Sequence, residues 1–283
     1  MSDANYHIRC MTRPEIDLCV SWAAAEGWNP GLHDADAFYA ADSEGFLVGL
    51  LNDEPIACIS AVRYGEHFGF IGFYIVAPGY RRQGYGLKLW NAAMQRLEGR
   101  LIGLDGVVAQ QENYRKSGFE FAYNNVRYQG TTSRKDSFST SVVDLVKVPE
   151  AALVAFDRVL FPAPRTPFLS SWITRPGTVA KACIKDGVMQ GYGVIRPCKM
   201  GYKIGPLFAQ DPHIAQMLYE TLVSQVEPGA QVQLDIPQTN PHAPALVESN
   251  NMQPVFETAR MYTGQAPNLA IHNIYGVTSF ELG

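Results

Sequence analysis

The sequence predicts an α/β protein, layered in the α+β manner, in which a mixed central sheet is flanked by helices and the whole unit is built twice. Three observations carry this reading. The stretch from Phe68 to Leu97, FGFIGFYIVAPGYRRQGYGLKLWNAAMQRL, runs from a buried-type strand through a glycine loop into a helix. Strands and helices alternate around it in a definite order. Residues of the first half recur in the second at a nearly constant offset.

Tyr6 to Thr12 reads as a first strand. Pro14-Glu15 then opens a helix whose apolar face is Ile16, Cys19, Val20 and Trp22 to Ala25, and which ends near Gly27. EGWNPG makes a turn, a short helix covers Asp34 to Ala41, and strands at Gly45–Leu51 and Pro55–Tyr64 meet at an Asn52-Asp53 turn. The central strand spans Phe68 to Val76 and is broken by Pro78-Gly79; Leu87, Trp90, Ala93, Met94 and Leu97 then fall at helical spacing. A fifth strand at Leu101–Val108, a short segment QQENYRKSGF and an extended stretch Phe121–Tyr128 complete the first unit.

The second unit emerges on adding 133 to first-half positions. Asp53 then meets Asp186, Arg63 meets Arg196, Ile71-Gly72 meets Ile204-Gly205, and Arg127 meets Arg260, while Gly118 falls on Asn251. Pro14-Glu15 has its counterpart in Pro149-Glu150, and Leu104-Asp105 in Leu234-Asp235. Duplication explains several matches in one frame better than chance does. The expected units are 1–134 and 138–283, joined by a polar linker over 130–139. After Ala209 the second copy reads QDPHIAQMLYETL, with neither arginine nor glycine loop. We therefore expect a degenerate copy that walls off the site of the first.

The totals exclude several classes. A chain of 283 residues with 47% hydrophobic and 18% charged residues and a net charge of −4 reads as an ordinary globular protein. A pI near 5.9 and no basic run argue against nucleic acid as a partner. The five cysteines show no CxxC pair, so no disulfide frame, zinc site or other metal is expected. There is no apolar run long enough for a membrane and no signal-peptide pattern, so a cytoplasmic location is expected. Oligomeric state is not legible.

A glycine loop ahead of a helix gathers free backbone N–H groups at the positive end of the helix dipole, and Gly84 and Gly86 let a large anion approach. The glycine spacing fits neither a Walker loop nor a dinucleotide fingerprint. The arrangement Val76, Pro78, Tyr80, Arg81, Gly84, Gly86, with its strand before and helix after, resembles the coenzyme A loop of the GCN5-related N-acetyltransferases. Over residues 5 to 130 the element order is similar too. The resemblance implies that acetyl-CoA is the acyl donor, that Tyr74, Ile75 and Val76 offer main-chain groups to the pantetheine arm, and that the Val76 amide polarises the thioester carbonyl. It also implies that Arg82, Gln83, Gly84, Tyr85, Gly86 and Leu87 wrap the pyrophosphate, with charge from Arg81 and Arg82. Tyr114, in YRKSGF, matches the family's tyrosine before Gly-Phe and would protonate the departing thiolate. The family often carries an Asn seven residues earlier, where this chain has Val107.

An amine nucleophile must lose a proton. Asp105 at a strand end and Glu26 at a helix end are the candidate bases, ahead of His33 and His67. Trp28 in its turn, with Asn29 beside it, is expected to face the substrate. A ligand site of the second copy's own at Asp235, Asn240 and His242 is an alternative to turn chemistry there. The expected activity is direct acetyl transfer to a primary amine, on a small molecule or a peptide. The alternatives are another acyl donor, a hydroxyl acceptor, or a non-catalytic acyl-CoA sensor.

Overall fold

The structure, a computed structural model, describes residues 5–132 and 140–283. Most of the expected linker, 133–139, lies outside the described residues. The first half contributes β1 (Tyr6–Cys10), α1 (Arg13–Ala25), α2 (Asp34–Ala41), β2 (Phe46–Leu51), β3 (Glu54–Tyr64), β4 (Phe68–Val76), α3 (Tyr85–Arg96), β5 (Leu101–Val107), α4 (Gln111–Lys116) and β6 (Glu120–Thr131). The second contributes β7 (Val142–Asp144), α5 (Glu150–Asp157), α6 (Thr166–Trp172), β8 (Val179–Lys185), β9 (Val188–Pro197), β10 (Tyr202–Ala209), α7 (Pro212–Val223), β11 (Gln231–Pro237), α8 (Ala243–Ser249), β12 (Gln253–Tyr262) and β13 (Ile274–Gly276).

Local chemistry sets these elements. Glu15 reaches back to accept the Thr12 N–H (2.8 Å) at the start of α1. Asp211 caps α7 by accepting the Ile214 N–H (2.9 Å), with Pro212 in the first turn. Along β3 and β4 alternate residues go to opposite faces: Cys58, Val62, Phe68 and Phe70 pack with α1, α2, α5 and α6, whereas Ala57, Ile59 and Ile71 pack under α3. The first of these cores is shared by the halves. The second copy has its own outer core under α7 and α8.

All the strands form one sheet, in the order β1-β2-β3-β4-β5-β12-β6-β11-β10-β9-β8-β7, with β13 added against β10. The long last strand of each half thus lies in the other's territory. β12 pairs with β5 and β6 pairs with β11, and β6 and β12 pair with each other at the centre. Neither half completes its own run of strands.

The repeat also explains how the exchange is held. Arg260 of β12 stands opposite Asp105 of β5 and donates to it from Nε (2.8 Å) and Nη2 (2.6 Å). Arg127 of β6 stands opposite Asp235 of β11 and does the same at 2.7 and 2.8 Å. These are the equivalent residues of the two copies, paired crosswise and bidentate. Burial pushes the Asp235 carboxyl up, but Arg127 and Lys203 outweigh it and hold the group below its ordinary range.

Removing one member of a buried pair strands the other without a counter-charge, at a cost of about 3–5 kcal/mol. Arg127→Ala and Arg260→Ala are each expected to lose stability on that scale, measured by urea unfolding. Because each pair joins both halves, each variant should still unfold in one transition; two resolved transitions would contradict a single interwoven sheet.

Candidate active site

The two copies of the central strand end differently. β4 and β5 run parallel from Phe68↔Leu101 to Ile71↔Leu104 and then part. β10 and β11 run parallel only from Tyr202↔Val232 to Ile204↔Leu234, the positions equivalent to Ile71 and Leu104. In the second half the gap is filled by the chain itself, since β13 pairs with β10 and the Val277 N–H donates to the Asp235 carbonyl (2.8 Å). In the first half the gap is a cleft of about 790 Å³, lined by β4, β5, α3, α4 and by residues of the second half.

The loop at its mouth has the form of an anion cradle. The N–H groups of Arg82 through Leu87 have no backbone partner among the described residues; the first to find one is Lys88, which donates to the Gly84 carbonyl (3.2 Å). Arg82 (φ 63°) and Gly84 (φ 86°) take left-handed backbone, which curls successive donors into one concavity at the N-terminus of α3. Nothing lies within 4 Å of where a Gly84 side chain would start, so a ligand can reach the main chain. Gly86 serves differently from expectation. A Cβ there would sit 2.7 Å from the Tyr74 hydroxyl and 2.9 Å from Val76, so this glycine seats α3 on β4.

Along the cleft wall, β4 carries a bulge at Phe73 (φ 48°) that shifts its register with β3. Past the bulge, the Ala77 N–H donates to Ile56 (2.9 Å), so the alternation of an antiparallel ladder turns the Val76 N–H away from β3, toward the cleft. Tyr74, Ile75 and Val76 all line the space. Arg81 is committed elsewhere: its Nε donates to the Val76 carbonyl (2.7 Å) and its Nη2 pairs with Glu26. It fixes the loop to the strand instead of reaching out to a phosphate. Gln83 likewise holds the loop through the Gly79 carbonyl (2.9 Å). The Tyr85 ring packs against that of Tyr6, tilted, with centres 4.9 Å apart, and Leu87 is exposed on the cleft lip. Arg82 is solvent-facing, with no ion pair among the described residues.

Tyr114 stands at the inner side of the cleft, its ring 5.5 Å from that of Trp90 and 6.5 Å from that of Phe119. Burial, with the nearby Tyr74, pushes its phenol up to about 12, so it holds its proton at neutral pH. The candidate bases fare less well. Asp105 lines the cleft, but its side chain is 0% exposed; Arg260 takes both oxygens and Asn125 donates to one of them (2.8 Å). Both of its oxygens are held by the partner strands. Glu26 reaches the rim in its pair with Arg81. His33 and His67 are exposed and do not line the cleft.

Trp28 does line the cleft, while its carbonyl accepts from Arg127 (2.7 Å). Asn29 does not. Its amide is buried, donating to the Met200 carbonyl (2.9 Å) and Gln233 (3.0 Å), and it is a clasp between the halves. The polar group Asp235, Asn240 and His242 is structural as well: Asp235 holds Arg127, and Asn240 donates to the Ile274 carbonyl (2.8 Å) and accepts the His242 N–H (2.9 Å).

The sequence reading drew no lining residue from the second half, yet four stand there: Phe256 and Thr258 of β12, and Phe280 and Glu281 beyond β13. Phe256 and Phe280 cover Arg127, whose guanidinium carbon lies 5.7 and 4.9 Å from their ring centres. No local pattern marks them, because they arrive through the exchange. Among the described residues no cluster of His, Cys, Asp or Glu could hold a metal ion, and no helix is long and apolar enough to cross a membrane.

Comparison with known proteins bears on the family and the fold. The profile of the acetyltransferase (GNAT) family matches residues 11–119, and that of an acetyltransferase (GNAT) domain matches residues 153–276. The holothin acyltransferase of Pseudoalteromonas sp. (strain SANK 73390) is 35% identical over 272 residues, covering 95% of this chain and 92% of that one. A Pyrococcus horikoshii structure assigned to the acetyltransferases superposes with a TM-score of 0.84 at 23% identity, over 100% of this chain and 98% of that one. A tandem GNAT protein from the clavulanic acid biosynthesis pathway gives a TM-score of 0.63 at 13% identity, over 93% of this chain and 100% of that one.

The phenol of Tyr114 makes one pH prediction. The native state holds this proton up to about 12, whereas the unfolded chain releases it near 10.0. Its contribution to stability is therefore complete below pH 10.0 and is lost as pH rises toward 12. Urea unfolding followed from pH 8 to 11.5 should show a shallower alkaline loss in Tyr114→Phe than in the unmodified protein; equal slopes would mean that the phenol is not buried as described.

Proposed function

Because the chain belongs to the GCN5-related N-acetyltransferase family of acyltransferases, we propose that its first half binds acetyl-CoA and passes the acetyl group to a primary amine held in the same cleft. The observation that carries this reading is the pairing of a free-amide cradle at the start of α3 with a parted β4–β5 edge and a protonated tyrosine at its inner side. Bound acetyl-CoA supplies an activated acyl group. The chain's own residues do the rest. The N–H groups from Arg82 to Leu87 hold the pyrophosphate, with Arg82 free to add charge. The edge of β4 from Gly72 to Val76 orients the pantetheine arm, and the Val76 N–H points to where the carbonyl oxygen would lie. Tyr114 gives its proton to the departing sulfur.

The acceptor side is apolar and aromatic, made by Trp28, Phe73, Phe256 and Phe280. This favours a small, flat amine over a peptide. Holothin, named for the bacterial relative, is the first acceptor to test. The second copy then serves as wall, its own gap closed by β13. A cytoplasmic location, where acyl-CoA is available, belongs to this reading.

One observation favours a second reading. Both expected bases, Asp105 and Glu26, are tied up in ion pairs, which would suit an acyl-CoA sensor without turnover. Calorimetry with acetyl-CoA should find one site per chain, lost when Gly84 and Gly86 are both changed to Val. Tyr114→Phe should keep that affinity and slow thiol release by about 100-fold. Binding without release by the unmodified protein, with holothin and a panel of primary alkylamines that carry a flat ring, would leave the sensor standing.

A further inference from the structure

We propose that Glu281, carried into the cleft by the second half of the chain, is the base that deprotonates the attacking amine; this rests on the acyltransferase reading above. Three carboxylates line the cleft: Glu26, Asp105 and Glu281. Glu26 is paired with Arg81 and Asp105 with Arg260. Glu281 has neither an ion pair nor a hydrogen-bond partner among the described residues. It is 4% exposed, yet its oxygens are not among the sealed, partnerless polar atoms of the interior. What little accessibility they have is therefore toward the cleft that Glu281 lines. No side chain among the described residues makes a direct ion pair or hydrogen bond with this carboxylate, and a protonated amine entering the cleft is a ligand whose charge fits it.

The segment that carries Glu281 is firmly seated. Its own carbonyl lies against Gly72, where any side chain would collide with it. The Tyr64 hydroxyl donates to the Leu282 carbonyl (3.1 Å), the Leu282 N–H donates to Ser279 Oγ (3.1 Å), and Arg165 reaches the Gly283 carbonyl (3.3 Å). Behind Glu281 stand Arg127 of β6, Arg196 of β9 and Lys203 of β10, each within electrostatic reach of it. Arg127 is also bound to Asp235 and Arg196 to Asp34. The other titratable groups lining the cleft include Asp105, Tyr114 and Glu26. Phe280, the neighbour in sequence, lines the same cleft, and the Glu281 carbonyl lies against Gly72 of β4.

The step balances without a further reactant. The acceptor enters as an ammonium ion and gives a proton to Glu281, directly or through one water. Its lone pair forms the C–N bond as the C–S bond breaks, Tyr114 passes its proton to the sulfur, and the second proton lost by nitrogen restores Tyr114 through water. One proton leaves to solvent from Glu281, and no oxidant or reductant is involved.

The test compares the unmodified protein with Glu281→Gln and Glu281→Asp, using acetyl-CoA as donor and holothin or water as acceptor, with thiol release as the readout. Calorimetric binding of acetyl-CoA and the thermal midpoint serve as controls for folding. The expected result is that Glu281→Gln keeps the acetyl-CoA affinity and the midpoint, lowers kcat by about 100-fold or more, and loses the acid limb of the kcat/KM profile. Glu281→Asp should restore part of the rate and bring that limb back. Turnover by Glu281→Gln within about threefold of the unmodified protein, with the acid limb intact, would overturn the role of Glu281 and leave the acyltransferase reading standing. If the unmodified protein binds acetyl-CoA but releases no thiol with either acceptor, the base role falls together with catalysis. No binding at all would overturn the acyl-CoA reading itself.

Discussion

The crossed ion pairs, Arg260 with Asp105 and Arg127 with Asp235, are the constraint on which the rest of the structure depends. Each sits at the join between one half's fifth strand and the other half's last one. A buried guanidinium and carboxylate stabilise a fold poorly compared with apolar residues of the same size. What they supply is register. A slip of one residue in β6 or β12 would turn every side chain on the strand to the wrong face and leave two charges buried and unpaired. The pairs therefore select one alignment among many at the centre of a long sheet.

That choice reaches into the chemistry. Asp105 occupies a place where an acidic group could serve a reaction, yet its oxygens are held by Arg260 and Asn125. The exchange brings β12 to the cleft, and the segment after β13 borders it as well, so the cleft of the first half has walls from both copies.

The asymmetry between the copies rests on a short piece of chain. β4 and β10 both part from their parallel neighbours just after an Ile-Gly pair, Ile71-Gly72 and Ile204-Gly205. In each copy the glycine makes room for the segment that follows β13: a Cβ on Gly205 would sit 2.5 Å from the Thr278 carbonyl, and one on Gly72 would strike the carbonyl of Glu281. β13 closes the second gap by pairing with β10, and the segment after it runs on to border the first. It leaves β4 from Gly72 to Val76 without a strand on its β5 side, which is where a ligand's amides can pair.

The sequence by itself determined the elements of the first half, the loop that opens α3 and the repeat. Apolar alternation, the glycine loop, the tyrosine in α4 and the offset of 133 are local or periodic signals, and such signals act on the chain wherever it lies. The equivalence of Arg127 with Arg260 and of Asp105 with Asp235 was legible too. Their crossed pairing was not, because an offset says which residues correspond and nothing about which copy supplies the partner. For the same reason Asp105 reads as a free acid and Asn29 as a substrate contact, whereas one is locked by Arg260 and the other is buried between the halves. Phe256, Thr258, Phe280 and Glu281 lie more than 140 residues from Tyr114 in the chain. Only the tertiary structure could bring them to one cleft, since their placement follows from strand pairing and burial across the whole sheet and not from any property of their neighbours in sequence.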